Sequence, residues 1–145
     1  MNTIAVDAMG GDSAPIDIVK GAIKAKEQGV DVVLCGDKNL INPYLENNEI
    51  PVFDFPEVIS MDEDPLRAIR NKKNASIVGC MQLLKDKKVQ AVFSAGSTGA
   101  TLISAISILG KHKGVIRPVI ASVLPSLSGN TCLLYTSPSP RDVSR

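Results

Sequence analysis

The chain has 145 residues, 44% hydrophobic and 21% charged, the balance of about one soluble globular domain able to bury a core. Aromatic residues make up 3% and Trp is absent, so the core is built from Val, Ile, Leu and Ala; this suits helices on a largely parallel sheet and excludes a sandwich or a base-stacking nucleic-acid platform. Sixteen Lys and Arg against fifteen Asp and Glu give a formal net charge of +1, which leaves only local patches to attract a charged partner.

Ile4 to Val6 is a short apolar run ended by Asp7; Met9, Gly10 and Gly11 then break the pattern, and Pro15 stands where a helix begins. Ile16, Val19, Ala22 and Ile23 recur at helical spacing, with Lys20, Lys24, Lys26 and Glu27 opposite and Gly29 as a stop. Val32 to Leu34 reads as a second buried strand closed by Gly36-Asp37, and Asp37 caps a short helix through Tyr44 to Asn47 in which Pro43 disturbs regularity. Ile50 to Phe55 is a third strand, placed near an edge by Pro51 and Pro56. The acidic run EVISMDED, Glu57 to Asp64, is a loop feeding a basic helix that starts at Asp64-Pro65 and carries Arg67 and Arg70.

Asn74 or Ser76 caps the next helix, whose apolar face is Ile77, Cys80, Met81 and Leu84, before a Lys85-Asp86-Lys87-Lys88 end. Ala91 to Phe93 is a fourth strand and Thr98 to Leu109 an apolar helix. Val119 to Leu124 is a fifth strand, with a turn over Pro125 to Asn130 before Cys132 to Leu134. Strands alternating with helices at this spacing predict α/β architecture with parallel pairing. From Tyr135 to Arg145 the sequence YTSPSPRDVSR lacks apolar residues that would extend a buried sheet. It reads as a disordered tail, either a frameshift or read-through joined to a truncated gene, or a natural flexible C-terminus.

The longest apolar stretch, Ala100 to Leu109, is interrupted by Ser104 and Ser107 and falls short of the ~20 residues a membrane-spanning helix needs. The first residues enter a strand pattern with no basic segment ahead of an apolar one, so no secretory signal is read and a cytoplasmic location is expected. Cys35, Cys80 and Cys132 lie far apart and in no metal-ligand spacing, which predicts small buried thiols. His112 sits in a Lys-rich loop and reads as a surface residue.

The sharpest local feature is Ser94-Ala95-Gly96-Ser97-Thr98-Gly99, which follows a strand and opens a helix. Small residues there let backbone N–H groups approach an anion, the helix start adds positive potential, and Ser94, Ser97 and Thr98 offer hydroxyls. It matches neither a Walker loop nor GxGxxG, and taken alone a tight strand-to-helix turn with a capping Ser or Thr explains it slightly better. As a phosphate cradle it needs Gly96 and Gly99 because a Cβ would block the anion, and Gly96→Ala is expected to weaken phosphate use while leaving the fold intact. The exit of the first strand, Asp7 to Pro15, lies where open α/β sheets bind ligands; Gly10 and Gly11 permit close approach, while Asp7 and Asp12 either bind a ligand or tie the turn. Arg67, Arg70, Lys72 and Lys73, with Lys85, Lys87 and Lys88 further on, are a solvated face or, functionally, an Arg for phosphate and lysines for an acidic partner.

Four segments in order, IAVDAMGGDSAP, VISMDEDPLRAIRNKKNAS, AVFSAGSTGAT and IRPVIASVLPSLSG, resemble the acyl-[acyl carrier protein]:phosphate acyltransferases of bacterial phospholipid synthesis over residues 1 to 134. The resemblance implies a three-layer α/β/α fold with a largely parallel sheet, like the isocitrate and isopropylmalate dehydrogenases, here truncated. It implies a homodimer at full length and transfer of a fatty acyl group from carrier-protein thioester to inorganic phosphate, giving acyl phosphate. It implies no cofactor, metal or nucleic acid, and membrane contact only through a C-terminal half that does not follow here. Ser13 stands where the family has His or Asn, Ser97 where many members have Asn, and after Leu134 the family continues with Asp-x-Gly-Ala-Asn where this chain has YTSPSPRD. Residues 1–134 are thus expected to be the N-terminal part of an acyltransferase domain and 135–145 a tail foreign to it. Phosphate is already a nucleophile at neutral pH, so positioning dominates, with the Ser94-to-Gly99 turn and Arg70 or Arg117 as oxyanion and phosphate ligands and Lys73 as a further one. Asp7, Gly10, Gly11 and Asp12 complete the candidate substrate site. The alternative is an inactive fragment of such an enzyme; a decarboxylating dehydrogenase would need a dinucleotide fingerprint that the sequence lacks.

Overall fold

A computed structural model describes residues 2–46, 48–116, 118–127 and 129–135. Contacts divide the chain into two units, 1–110 and 111–145. The first contains β1 (Ile4–Asp7), α1 (Ile16–Glu27), β2 (Val32–Gly36), α2 (Lys38–Leu45), β3 (Val52–Asp54), α3 (Pro65–Asn71), α4 (Ser76–Lys85), β4 (Ala91–Ser94) and α5 (Thr98–Ile108). Its four strands are all parallel, in the order β3-β2-β1-β4, with Ile4 opposite both Val32 and Ala91 and Leu34 opposite Val52.

The period-2 geometry of a strand explains the layers. Val32 and Leu34 pack with Val6, Val19, Ala22, Ile41 and Leu45 beneath α1 and α2, while the alternate residues Val33 and Cys35 pack with Ala5, Cys80 and Leu83 beneath α4. All five residues of β2 are buried, as a parallel strand covered on both faces must be. The unit is therefore α/β, with helices on both sides of a parallel sheet. A third cluster, Ile69, Ala75, Ile77, Val78 and Met81, joins α3 and α4 to Ile103 of α5.

Helix starts follow local chemistry in three cases and a distant residue in the fourth. The side chains of Asp37, Asp64 and Ser97 accept hydrogen bonds from Asn39 N (2.8 Å), Arg67 N (2.8 Å) and Ala100 N (3.3 Å). For α4 the expected cap at Asn74 or Ser76 is replaced: the N-cap is Ala75, whose side chain cannot accept. Glu57 from the preceding loop takes the role, its carboxylate accepting from Asn74 N at 2.7 Å and its carbonyl from Ser76 N at 3.1 Å. The C-terminal stop at Gly29 has φ +86°, a conformation that disfavours a side chain.

The second unit corrects the expectation that the last strands join a parallel set. β5 (Ile120–Ser126) and β6 (Gly129–Tyr135) form a two-stranded antiparallel sheet with Val123 opposite Cys132. A connection this short joins only antiparallel strands, since parallel pairing needs a crossover of a dozen or more residues. Tyr135, expected to begin the tail, is paired with Ile120 through β6; residues 136–145, the rest of the expected tail, lie outside the described residues.

Candidate functional site

β1 and β4 are neighbours, and their last residues, Asp7 and Ser94, stand opposite each other at the carboxyl edge of the sheet. Asp7 is buried, and its Oδ2 accepts the Ser94 hydroxyl proton at 2.6 Å. Ser94 Oγ in turn accepts Gly96 N–H at 3.1 Å, and Asp7 Oδ1 accepts Met9 N–H at 3.3 Å. One carboxylate thus ties together the two loops that the sequence singles out, and the single proton of Ser94 is spent on Asp7 rather than free for a ligand.

The glycines of these loops are required by the chain's own packing. A Cβ on Gly10 would lie 2.5 Å from Asp7 Oδ2 and 3.0 Å from Gly96 N; one on Gly96 would lie 3.0 Å from Gly10 Cα. Gly99 has Pro65 Cγ at 2.9 Å from the same virtual atom, and Gly11 has φ +120°. Gly96→Ala is therefore not the fold-neutral change expected from the sequence, because the two loops press backbone against backbone at that point.

The starts of α4 and α5 meet beside this pair of loops. Asp7, Met9, Gly10, Ile59, Ser76, Ile77, Ser94, Gly96, Ser97, Ala100 and Thr101 line a small notch of about 10 Å³, room for about one water-sized atom. Ser97 Oγ accepts from Ala100 N–H and keeps its proton for a ligand, whereas Thr101 Oγ1 donates to Ser97 O at 3.0 Å. Ser97, Thr98 and Gly99 offer backbone N–H groups that have no protein acceptor among the described residues. Of the residues proposed from sequence, Asp7, Gly10, Ser94, Gly96 and Ser97 line the notch; Gly11, Asp12, Thr98 and Gly99 flank it in sequence without lining it.

Arg70, in the last turn of α3, and Lys73, just beyond it, are exposed and do not line the notch. Arg117 lies outside the described residues. Lys72 is committed internally, donating to Val58 O at 2.7 Å and pairing with Glu63. That hydrogen bond, with help from Ser60 N–H, holds the Glu63 carboxyl below its ordinary value of 4.5. Sequence reasoning missed Ser76, Ile59 and Thr101. Thr101 follows from Ser97 by one helical turn, but nothing local announces that Ile59 and Ser76, from a loop and another helix, converge there.

The cysteines divide. Cys35 and Cys80 are fully buried, and the hydrogen bond that the protonated Cys80 thiol makes to Cys35, then burial, raise the Cys80 thiol far above its ordinary range, so it stays a packed thiol. Cys132 is exposed, contrary to expectation; it lies in a two-stranded hairpin whose own unit has no helix among the described residues. His112 is exposed in the second unit, as expected. No helix among the described residues is long and apolar enough to cross a membrane.

The chain thus contains a parallel α/β unit with a small hydroxyl-lined notch at the carboxyl ends of adjacent strands, the edge at which open α/β sheets bind ligands. The sequence pattern of the fatty acid synthesis protein family matches residues 2–137, and the chain belongs to that family. It is 44% identical to the phosphate acyltransferase of Desulfitobacterium hafniense (strain Y51) over 97% of this chain and 43% of that protein. The phosphate acyltransferase of Desulforamulus reducens is 48% identical over 92% of this chain and 42% of that protein, and that of Gloeothece citriformis 50% identical over 86% and 37%. The chain thus spans about two fifths of the length of these curated relatives. The crystal structure of Acinetobacter baumannii MurG is similar at a TM-score of 0.47 and 21% identity over 76% of this chain and 32% of that one.

Proposed function

We propose that this chain supplies the phosphate-side portion of an acyltransferase that moves a fatty acyl group from an acyl-carrier-protein thioester to inorganic phosphate, giving acyl phosphate for phospholipid synthesis. The observation that carries the reading is the meeting of Asp7, Ser94, Gly96 and Ser97 at one edge of the sheet in a chain whose relatives are phosphate acyltransferases. Phosphate is held by amides at the start of α5 and by the Ser97 hydroxyl; its own oxygen attacks the thioester carbonyl, and the C–S bond then breaks to release the carrier thiolate, so no covalent enzyme intermediate is required. The same donors stabilise the oxyanion that develops. Arg70, Lys73 and Arg117 are the cations assigned to phosphate or the oxyanion, and Gly11, Asp12, Thr98 and Gly99 shape the mouth of the site.

Lys87 and Lys88, exposed after α4, form the face for the acidic carrier protein; Lys72, held by Glu63, is not part of it. The working protein is cytoplasmic and a homodimer of isocitrate and isopropylmalate dehydrogenase-like fold, with residues 1–134 in the N-terminal part of its domain. The test is a chimera in which residues 1–134 replace the matching segment of the D. reducens relative, supplied with acyl-carrier-protein thioester and phosphate, with acyl phosphate detected by phosphorus NMR and the released carrier thiol measured. Acyl phosphate is the expected product, and a folded chimera that makes none overturns the reading.

A second reading rests on coverage of only 37–43% of the relatives: the 145-residue chain by itself is an inactive fragment. The same assay on the chain alone decides it, since turnover without the remaining segment excludes that reading.

A further inference from the structure

We infer that Ser76 and Asp7 act as a donor and acceptor pair that takes hydrogen phosphate at the notch and rejects sulfate, an inference resting on the phosphate reading above. Ser76 is the first residue of the ten-residue helix α4; it is 3% exposed and lines the notch. Its hydroxyl has no hydrogen-bond partner among the described residues, although no fully buried side-chain nitrogen or oxygen among them lacks one. The oxygen is therefore the part of an otherwise buried side chain that opens on the notch. The Ser76 proton is uncommitted and its oxygen faces the open side of an otherwise buried residue, so it is free to donate to a ligand seated in the notch.

The neighbouring hydroxyl protons differ. Ser94 gives its proton to Asp7 and Thr101 gives its own to the Ser97 carbonyl, whereas Ser76 is committed to nothing. Behind Ser76, the N–H groups of Ile77 and Val78 have no protein acceptor, while the Ser76 N–H is taken by Glu57 O. The starts of α4 and α5 thus both line the notch, and the positive potential of a helix start favours an anion there.

The Asp7 carboxylate lines the same notch and repels any anion that brings no proton. Hydrogen phosphate carries a P–OH whose proton donates to the Asp7 carboxylate while the same oxygen accepts from Ser76, and its other oxygens, outside the notch, accept from the helix amides. Sulfate has the same shape and a similar charge but no proton at neutral pH, so it meets the carboxylate with repulsion alone. A space of about 10 Å³ admits one oxygen, leaving the rest of the ion at the mouth, where the Ser97 hydroxyl reaches it.

The experiment is calorimetric titration of the 145-residue chain with inorganic phosphate and, separately, sodium sulfate at pH 7 and constant ionic strength, repeated on Ser76→Ala and Ser76→Thr. The wild-type chain is expected to bind phosphate at least about tenfold more tightly than sulfate. Ser76→Ala is expected to weaken phosphate at least about tenfold, the usual effect of removing a donor to a charged group, and Ser76→Thr to restore it to within about threefold. Unfolding midpoints without ligand identify any variant that fails to fold; the phosphate-to-sulfate ratio of the wild-type chain needs no variant. Phosphate affinity unchanged in folded Ser76→Ala, or sulfate bound as tightly as phosphate, overturns the pair and leaves the phosphate reading standing. A wild-type chain that binds no phosphate overturns both.

Discussion

The two sheets of this chain are built from similar residues and end in opposite conditions. In the parallel sheet Leu34, Ala5 and Cys35 are fully buried, because consecutive side chains of β1 and β2 meet helices on both faces. In the hairpin, Val123 is 65% exposed and Leu133 55% exposed, with Leu127 fully exposed between the strands. Apolar composition alone does not make a core; a covering layer does. The site belongs to the covered sheet because rigid strand ends are what hold Asp7 against Ser94.

The largest effect separates the two sheets directly. Leu34→Ala is expected to cost about 2–5 kcal/mol in chemical denaturation, through lost burial and a cavity between layers. Leu133→Ala is expected to change stability by no more than about 0.5 kcal/mol. Equal losses would show that the hairpin is as well packed as the sheet. Amide exchange gives the same contrast without mutation: β1 and β2 should exchange at the rate of global unfolding, and β5 and β6 much faster.

Within the covered unit, Gly10→Ala drives a methyl into the Asp7 carboxylate and should cost about 1–3 kcal/mol. Phosphate binding should fall with it, so an unaltered melting temperature would mean that the loops slide apart freely. Ser97→Ala removes the cap of α5 and should cost about 1 kcal/mol, with phosphate weakened beyond what the stability change explains. Val123→Thr, by contrast, should leave phosphate binding untouched.

The smallest effect concerns pH. The Glu63 carboxyl is held below its ordinary value by Lys72, so the pair stabilises the fold above that value, and the contribution disappears as pH falls through the lowered one. Lys72→Met should lower stability slightly at pH 8, where the pair is intact, and the difference from wild type should vanish as pH falls through the lowered Glu63 value, where the carboxyl is protonated in both. Because both side chains are solvent-accessible, the difference should also fade in high salt.

Much of the covered unit is legible in the residues themselves. Ile4 to Val6 and Val32 to Leu34 announce buried strands, Ile16, Val19, Ala22 and Ile23 a helix face, and Asp37, Asp64 and Ser97 their caps, because each signal acts within one or two turns of chain. The same local grammar misjudged the hairpin: Val119 to Leu124 reads as one more parallel strand, and only the short connection to Gly129 shows that it cannot be. It also missed the capping of α4 by Glu57.

The sequence by itself determined the alternation of strand and helix, the strand-to-helix turn from Ser94 to Gly99 and the family. Tertiary structure alone decided that the Ser94 proton belongs to Asp7, 87 positions away, and that Gly96 is pressed against Gly10. It alone placed Ser76 at the notch while leaving Arg70 outside it. The reason is range: capping and periodicity are written in neighbours, whereas a site at the carboxyl edge of a parallel sheet is assembled from strand ends separated by whole crossovers. Strand order, which no single segment encodes, chooses which ends meet.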